Sequence, residues 1–202
     1  MERVLCFGDS ITWGAVDKDG LGWVGFIKKD FGQDSENNPS VYNLGISGDT
    51  TDGLLKRFRI ECEARLADGE LGIVFAIGIN DSRYINEEGN HEIPENKFVD
   101  NLEQLIEIAR EFTDKIAFIG LMDLDDSKTT PIPWSPTKYY TNKNMRRYNS
   151  AIKSVCEKNS LPFVDMEGVI PIEMMPDGLH PNTEGHKLAA EKIQRELRGF
   201  FK

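Results

Sequence analysis

Three side chains that together could draw a proton off a hydroxyl lie near the two ends of this 202-residue chain. Ser10 follows the apolar run Val4-Leu5-Cys6-Phe7 within Gly8-Asp9-Ser10-Ile11-Thr12, and Asp177 stands three positions before His180 in Asp177-Gly178-Leu179-His180-Pro181. An imidazole can take the hydroxyl proton while a carboxylate holds its other nitrogen, which is how serine, histidine and aspartate divide the work of acyl transfer. The remaining histidines suit the task less well. His91 sits in the polar segment 87–92 with no acidic partner at a spacing beyond chance, and His186 falls on a terminal helix, where solvation is expected.

Two further clusters could stabilise the charge such chemistry creates. In Asn43-Leu44-Gly45-Ile46-Ser47-Gly48-Asp49-Thr50-Thr51 the amide of Gly48, close to the start of a helix, could donate to a developing oxyanion. In Gly78-Ile79-Asn80-Asp81 the carboxamide of Asn80 has an NH₂ to offer. Taken singly, each cluster has an ordinary structural explanation. Ser10 could be a helix N-cap, Asp49 or Thr50 could cap a tight strand-to-helix turn, and Asn80-Asp81 could be a turn without a chemical task. The serine also lacks the Gly-x-Ser-x-Gly elbow found in α/β-hydrolases.

The elements that must position these groups are legible from periodicity. Short apolar runs at 4–7, 41–44, 72–77, 116–121 and 162–164 read as strands. Helical stripes lie between them: Leu54, Leu55, Phe58, Cys62 and Leu66; Phe98, Leu102, Leu105, Ile106 and Ala109; Tyr148, Ile152, Val155 and Cys156; Leu188, Ala189, Ile193 and Leu197; and a shorter stripe over 23–31. Continuous apolar strands that alternate with helices predict a three-layer α/β/α sandwich around a five-stranded, mostly parallel sheet. Ligands of such sheets gather beyond the carboxyl ends of the strands. Three of the clusters directly follow a predicted strand, and the Asp177–His180 pair lies in a loop between Pro176 and Pro181 that can aim back at the same edge.

This order of parts resembles the GDSL-type esterases, the SGNH hydrolase family. The family's four marker residues match Ser10, Gly48, Asn80 and His180, its Asp-x-x-His block matches Asp177 to His180, and the resemblance runs from Val4 to the last helix. Ile11 stands where the family name has leucine, a swap that conserves volume. The resemblance implies a flavodoxin-like SGNH fold, one domain over 1–202, and a serine hydrolase cleaving an ester or thioester through an acyl-enzyme on Ser10. The oxyanion would be held by the amides of Ser10 and Gly48 with the Asn80 side chain, and neither metal nor other cofactor is implied. Such enzymes act on simple esters, lysophospholipids, acyl-CoA thioesters and acetylated sugars. The family varies most where this chain has its irregular stretch 123–143. There Trp134, Tyr139 and Tyr140 could line an acyl or alcohol pocket or simply pin the loop, and Asp9 and Trp13 are further candidate substrate contacts. The Asp-rich start of that stretch favours a short acyl group on a polar, carbohydrate-like alcohol, with lysophospholipase or acyl-CoA thioesterase activity as the alternative.

Composition narrows the partners. With 24 Lys and Arg against 34 Asp and Glu, the net charge of −10 repels phosphate backbones and anionic lipid surfaces, so a small ester is a better partner than nucleic acid. No run approaches the roughly 18 apolar residues of a membrane helix, and the start lacks the pattern of a signal peptide, which leads to the expectation of a cytoplasmic enzyme. Cys6, Cys62 and Cys156, an odd number at wide spacing, read as reduced core residues. No exposed apolar stripe assigns an oligomeric state. Two rivals remain: a Mg²⁺-dependent phosphoesterase using Asp9, Asp49, Asp81 and Asp177, and a binding module that keeps the cleft without the chemistry.

Overall fold

The computed structural model describes residues 3–31, 39–66 and 69–200. Its strands are β1 (Arg3–Gly8), β2 (Ser40–Gly45), β3 (Leu71–Ala76), β4 (Tyr84–Ile85), β5 (Ile116–Ile119), β6 (Lys138–Tyr139) and β7 (Phe163–Val164). Its helices are α1 (Ser10–Trp13), α2 (Gly22–Phe31), α3 (Thr51–Glu63), α4 (Glu95–Arg110), α5 (Asp126–Thr129), α6 (Asn142–Asn159) and α7 (Thr183–Glu196). Five strands pair in parallel in the order β2-β1-β3-β5-β7, while β4 and β6 form a separate antiparallel ribbon. Within the main sheet this is the flavodoxin-like winding, whose order reverses between β1 and β3, and a reversal of that kind opens a crevice beyond the strand ends.

Alternation along the central strands feeds two cores. Leu5, Phe7, Ile73, Phe75 and Phe118 face Leu54, Phe58, Phe98, Leu102, Tyr148 and Ile152 of α3, α4 and α6. Val4, Cys6, Val74 and Ala117 face Trp23 and Ile27 of α2 and Ala189 and Ile193 of α7. With apolar contacts on both faces, these strands need uninterrupted hydrophobic sequence, which is why the pattern showed no alternation. Phe75 sits between Phe58 and Phe118 at ring-centroid distances of 5.2 and 4.9 Å, in the offset packing aromatic quadrupoles prefer.

Several expectations need correction. β5 stops at Ile119: the Gly120 amide still donates to the Val164 carbonyl of β7, but the Leu121 amide turns to Asn149 Oδ1 instead. α3 ends at Glu63, so Leu66 falls beyond the helix and is exposed rather than part of its stripe. His186 is fully buried against the α1 side, its Nε2 3.4 Å from the carbonyl of Ala15, and burial holds its pKa below the usual histidine value. The three cysteines are buried and unpaired, and burial pushes the Cys62 and Cys156 thiols up to about 12. No helix among the described residues is long and apolar enough to cross a membrane.

Candidate active site

Ser10 is placed by the close approach of α1 to the sheet. A Cβ on Gly8 would stand 2.1 Å from Thr12 Oγ1, and one on Gly45 would stand 2.3 Å from the Trp13 amide nitrogen, so only glycine lets the short helix settle on the ends of β1 and β2. Asp9 caps that helix by accepting from the Ile11 amide at 3.0 Å, which leaves Ser10 as its first residue.

The loop before α7 carries the Asp177–His180 pair. Asp177 Oδ1 accepts the amides of Leu179 and His180 at 2.9 and 2.8 Å, and its Oδ2 lies 2.7 Å from His180 Nδ1. That carboxylate fixes the proton on Nδ1, so Nε2 turns its lone pair to Ser10 Oγ, 2.9 Å away and 170 residues distant in sequence. Burial alone would raise the Asp177 pKa. The hydrogen bonds from the His180 ring and from the two amides outweigh burial and hold it below the usual carboxylate value.

Two donors flank the hydroxyl's end of the sheet. Gly48, after β2, has φ +81°, a left-handed conformation that penalises any side chain, although a Cβ there would meet nothing within 4 Å. The next residue, Asp49, is tied by Arg57, whose Nη2 lies 2.8 Å from Asp49 Oδ2, and Thr50 caps α3. Asn80, after β3, is almost fully buried and donates from Nδ2 to the Asp49 carbonyl at 2.9 Å, while its Oδ1 accepts from Tyr140 Oη at 2.7 Å and Arg83 Nη1 at 2.8 Å. Neither the Ser10 nor the Gly48 amide donates to another described backbone group.

These groups border one open cavity of about 250 Å³, bounded by Ser10, Ser47, Gly48, Asn80 and His180 on the sheet side and by Trp134, Lys138 and Tyr140 on the other. Trp134 lies over His180 with ring centroids 6.0 Å apart and planes at 28°.

Of the expected substrate contacts, the structure brings Trp134 and Tyr140 to the cavity and leaves three outside. Trp13 is 58 % exposed and points to solvent, because α1 buries Ser10 and Thr12 instead. Tyr139 sits on the far side of the ribbon, in a groove with Tyr84, since neighbouring side chains of a strand face opposite ways and it is Tyr140 that turns inward. Asp9 is a buried helix cap that does not reach the cavity. Arg83 and Lys138 are lining residues that the sequence reading missed; the only signal for Arg83 was its place three positions after Asn80, across a turn.

The carboxylates proposed as a Mg²⁺ site do not converge. Asp9 holds the Ile11 amide, Asp49 pairs with Arg57, Asp81 accepts from the Thr51 amide and hydroxyl, and Asp177 holds His180. Among the described residues no group of three or more His, Cys, Asp or Glu is arranged to hold a metal ion.

Comparison with known proteins gives this arrangement a context. The pattern of the GDSL-like Lipase/Acylhydrolase family matches residues 6–188. An isoamyl acetate-hydrolyzing esterase of Saccharomyces cerevisiae is 22% identical over 225 residues, covering 99% of this chain and 87% of its own. A lipase/acylhydrolase from Enterococcus faecalis superposes with a TM-score of 0.77 at 27% identity, over 100% of this chain and 98% of its own. An acetylxylan esterase from Geobacillus stearothermophilus shares the fold with a TM-score of 0.74 at 22% identity, over 97% and 94% of the two chains.

Proposed function

The chain belongs to the GDSL-like lipase/acylhydrolase family, whose members include esterases, and from that premise we propose that it is a serine esterase acting through Ser10 on short acyl groups. One observation carries the reading. Asp177, His180 and Ser10 form an unbroken hydrogen-bonded line, and its hydroxyl end opens into a cavity that also holds Gly48 and Asn80.

The chemistry follows from the donors and acceptors. Ser10 Oγ attacks the ester carbonyl while His180 Nε2 takes its proton, and Asp177 steadies the imidazolium formed. Charge that develops on the carbonyl oxygen is met by the amides of Ser10 and Gly48 and by the free N–H of Asn80. His180 then protonates the leaving alkoxide, and a water deprotonated by the same imidazole releases the acyl group.

The cavity's 250 Å³ supports a small acyl group, since pockets for drug-sized ligands run from about 300 to 1,000 Å³. The name of the yeast relative, an acetate esterase, points the same way. Trp134 at the mouth beside Lys138 fits a polar alcohol such as a sugar better than a second acyl chain. One sheet carrying both cores supports a single catalytic domain, and three buried, unpaired cysteines are compatible with a reducing compartment such as the cytoplasm.

A panel of aryl esters from acetyl to octanoyl, set beside acetylated sugars and thioesters, tests the reading with Ser10→Ala as the blank. Acetyl and propionyl esters should be the fastest substrates. A preference for octanoyl esters would overturn the short-acyl assignment, and failure of an activated phosphonate to label Ser10 would favour a binding module.

A further inference from the structure

Asn80 can serve an oxyanion only if its NH₂, and not its carbonyl, faces the cavity. We propose, on the footing of the serine-esterase reading, that Arg83 and Tyr140 are positioning residues that fix this orientation. The two side chains and the Asn80 oxygen close a ring: Tyr140 Oη donates to Oδ1 at 2.7 Å, Arg83 Nη1 donates to Oδ1 at 2.8 Å, and the same Nη1 donates to Tyr140 Oη at 2.8 Å. On the other side, Nδ2 gives one hydrogen to the Asp49 carbonyl at 2.9 Å, and its second hydrogen is left for the cavity. Turning the amide over would set NH₂ against a guanidinium, which can only donate, and Oδ1 against a carbonyl, which can only accept, two repulsive contacts that no rotation of the Tyr140 hydroxyl relieves.

The ring also acts electronically. A guanidinium hydrogen-bonded to Oδ1 draws density from the amide and makes its N–H a stronger donor, an effect that grows where water is excluded. Asn80, Arg83 and Tyr140 are each at most 5 % exposed. Arg83 is itself steadied by Glu92, whose Oε2 lies 3.2 Å from its Nε. The ribbon of β4 and β6 therefore carries a role beyond shaping the cleft, because it brings Tyr140, 60 residues along the chain, onto Asn80.

Both residues border the cavity, so a direct contact with substrate is the rival explanation, and a double-mutant cycle separates the two. Tyr140→Phe should lower kcat about tenfold at unchanged KM, and in an Asn80→Ala background, still measurable above Ser10→Ala, it should change kcat less than twofold. Arg83→Lys keeps the charge but loses the planar fork, and it should show the same dependence on Asn80. Thermal midpoints measured alongside give a second arm: Arg83→Lys carries the test should Tyr140→Phe fold poorly. A tenfold loss that persists without Asn80, a rise in KM at constant kcat, or an unaltered kcat in either single variant would overturn the proposal. A wild-type rate no faster than that of Ser10→Ala would instead overturn the serine reading on which it rests.

Discussion

The turns that carry Ser10, Gly48 and His180 are capped largely by their own backbones, whereas Asn80 and the segment 123–143 also lean on distant partners. Asp9 caps two residues ahead, Thr50 three residues ahead, and Asp177 holds the amides two and three residues on. In the other region Asp125 donates its amide to Gly178, Thr137 accepts from Asn86, and Arg146 reaches back to Asp123. The first region is pinned at short range and suits atoms that must meet within tenths of an ångström. The second borders the cavity through Trp134 and Lys138, which suits those side chains to choosing among substrates. Chemistry and selectivity thus occupy different parts of one cleft, joined where Tyr140 reaches Asn80 and where the Asp125 amide meets the Gly178 carbonyl.

The division can be attacked by substitution. Ser10→Ala should lower kcat by about 10⁴ or more, and a variant that keeps more than a hundredth of wild-type activity would remove Ser10 from the short-range machinery. Asn80→Ala should cost about 10² to 10³ in kcat with little change in KM, as expected for one oxyanion donor. On the other side of the cleft, Trp134→Ala should raise KM about fivefold while kcat stays within about twofold, and a large fall in kcat would show that the two regions are not separable. Tyr139→Ala and Trp13→Ala, both outside the cavity, should leave both constants unchanged; a shift in KM for either would redraw its boundary.

The smallest effect lies in stability. Burial raises the Asp9 and Asp81 carboxyls from an ordinary 3.8 to about 7. Between those values the folded protein holds protons that the unfolded chain has lost, so stability should fall as pH rises from about 4 to about 7 and level off above. Asp177 has the opposite sign: its depressed pKa contributes stability that disappears only as pH drops below the ordinary carboxylate range. Buried His186 acts with the opposite sign near the top of this window, so the test is a difference: Asp9→Asn, which preserves the cap to Ile11, should gain stability relative to the wild type as pH rises from about 4 to about 7 in melting curves.

What was legible in the sequence follows the same division. The strands, the helix stripes and the clusters around Ser10, Gly48, Asn80 and His180 are written in neighbouring residues, because caps, glycines and periodicity act over a few positions. The ribbon of β4 and β6 is two residues wide and owes its pairing to partners more than fifty positions apart, so no local pattern announced it. The same ignorance of register left Tyr139 and Tyr140 undivided, although only Tyr140 borders the cavity. His186 looked solvated because it lies on a helix ending in charged residues, and only the packing of α7 beside α2, on one face of the sheet, buries it. Arg83 was invisible for a related reason, since its task depends on a hydroxyl brought from β6's end.

The 170 positions between Ser10 and His180 have a consequence for biosynthesis. On the ribosome Ser10 emerges well before His180, and on the serine-esterase reading it stays an ordinary alcohol until the segment carrying His180 has left the exit tunnel and α7 docks beside α2. A chain stalled or clipped between the two would carry no hydrolytic hazard, and the appearance of turnover would report, in a single signal, that these two segments have found each other.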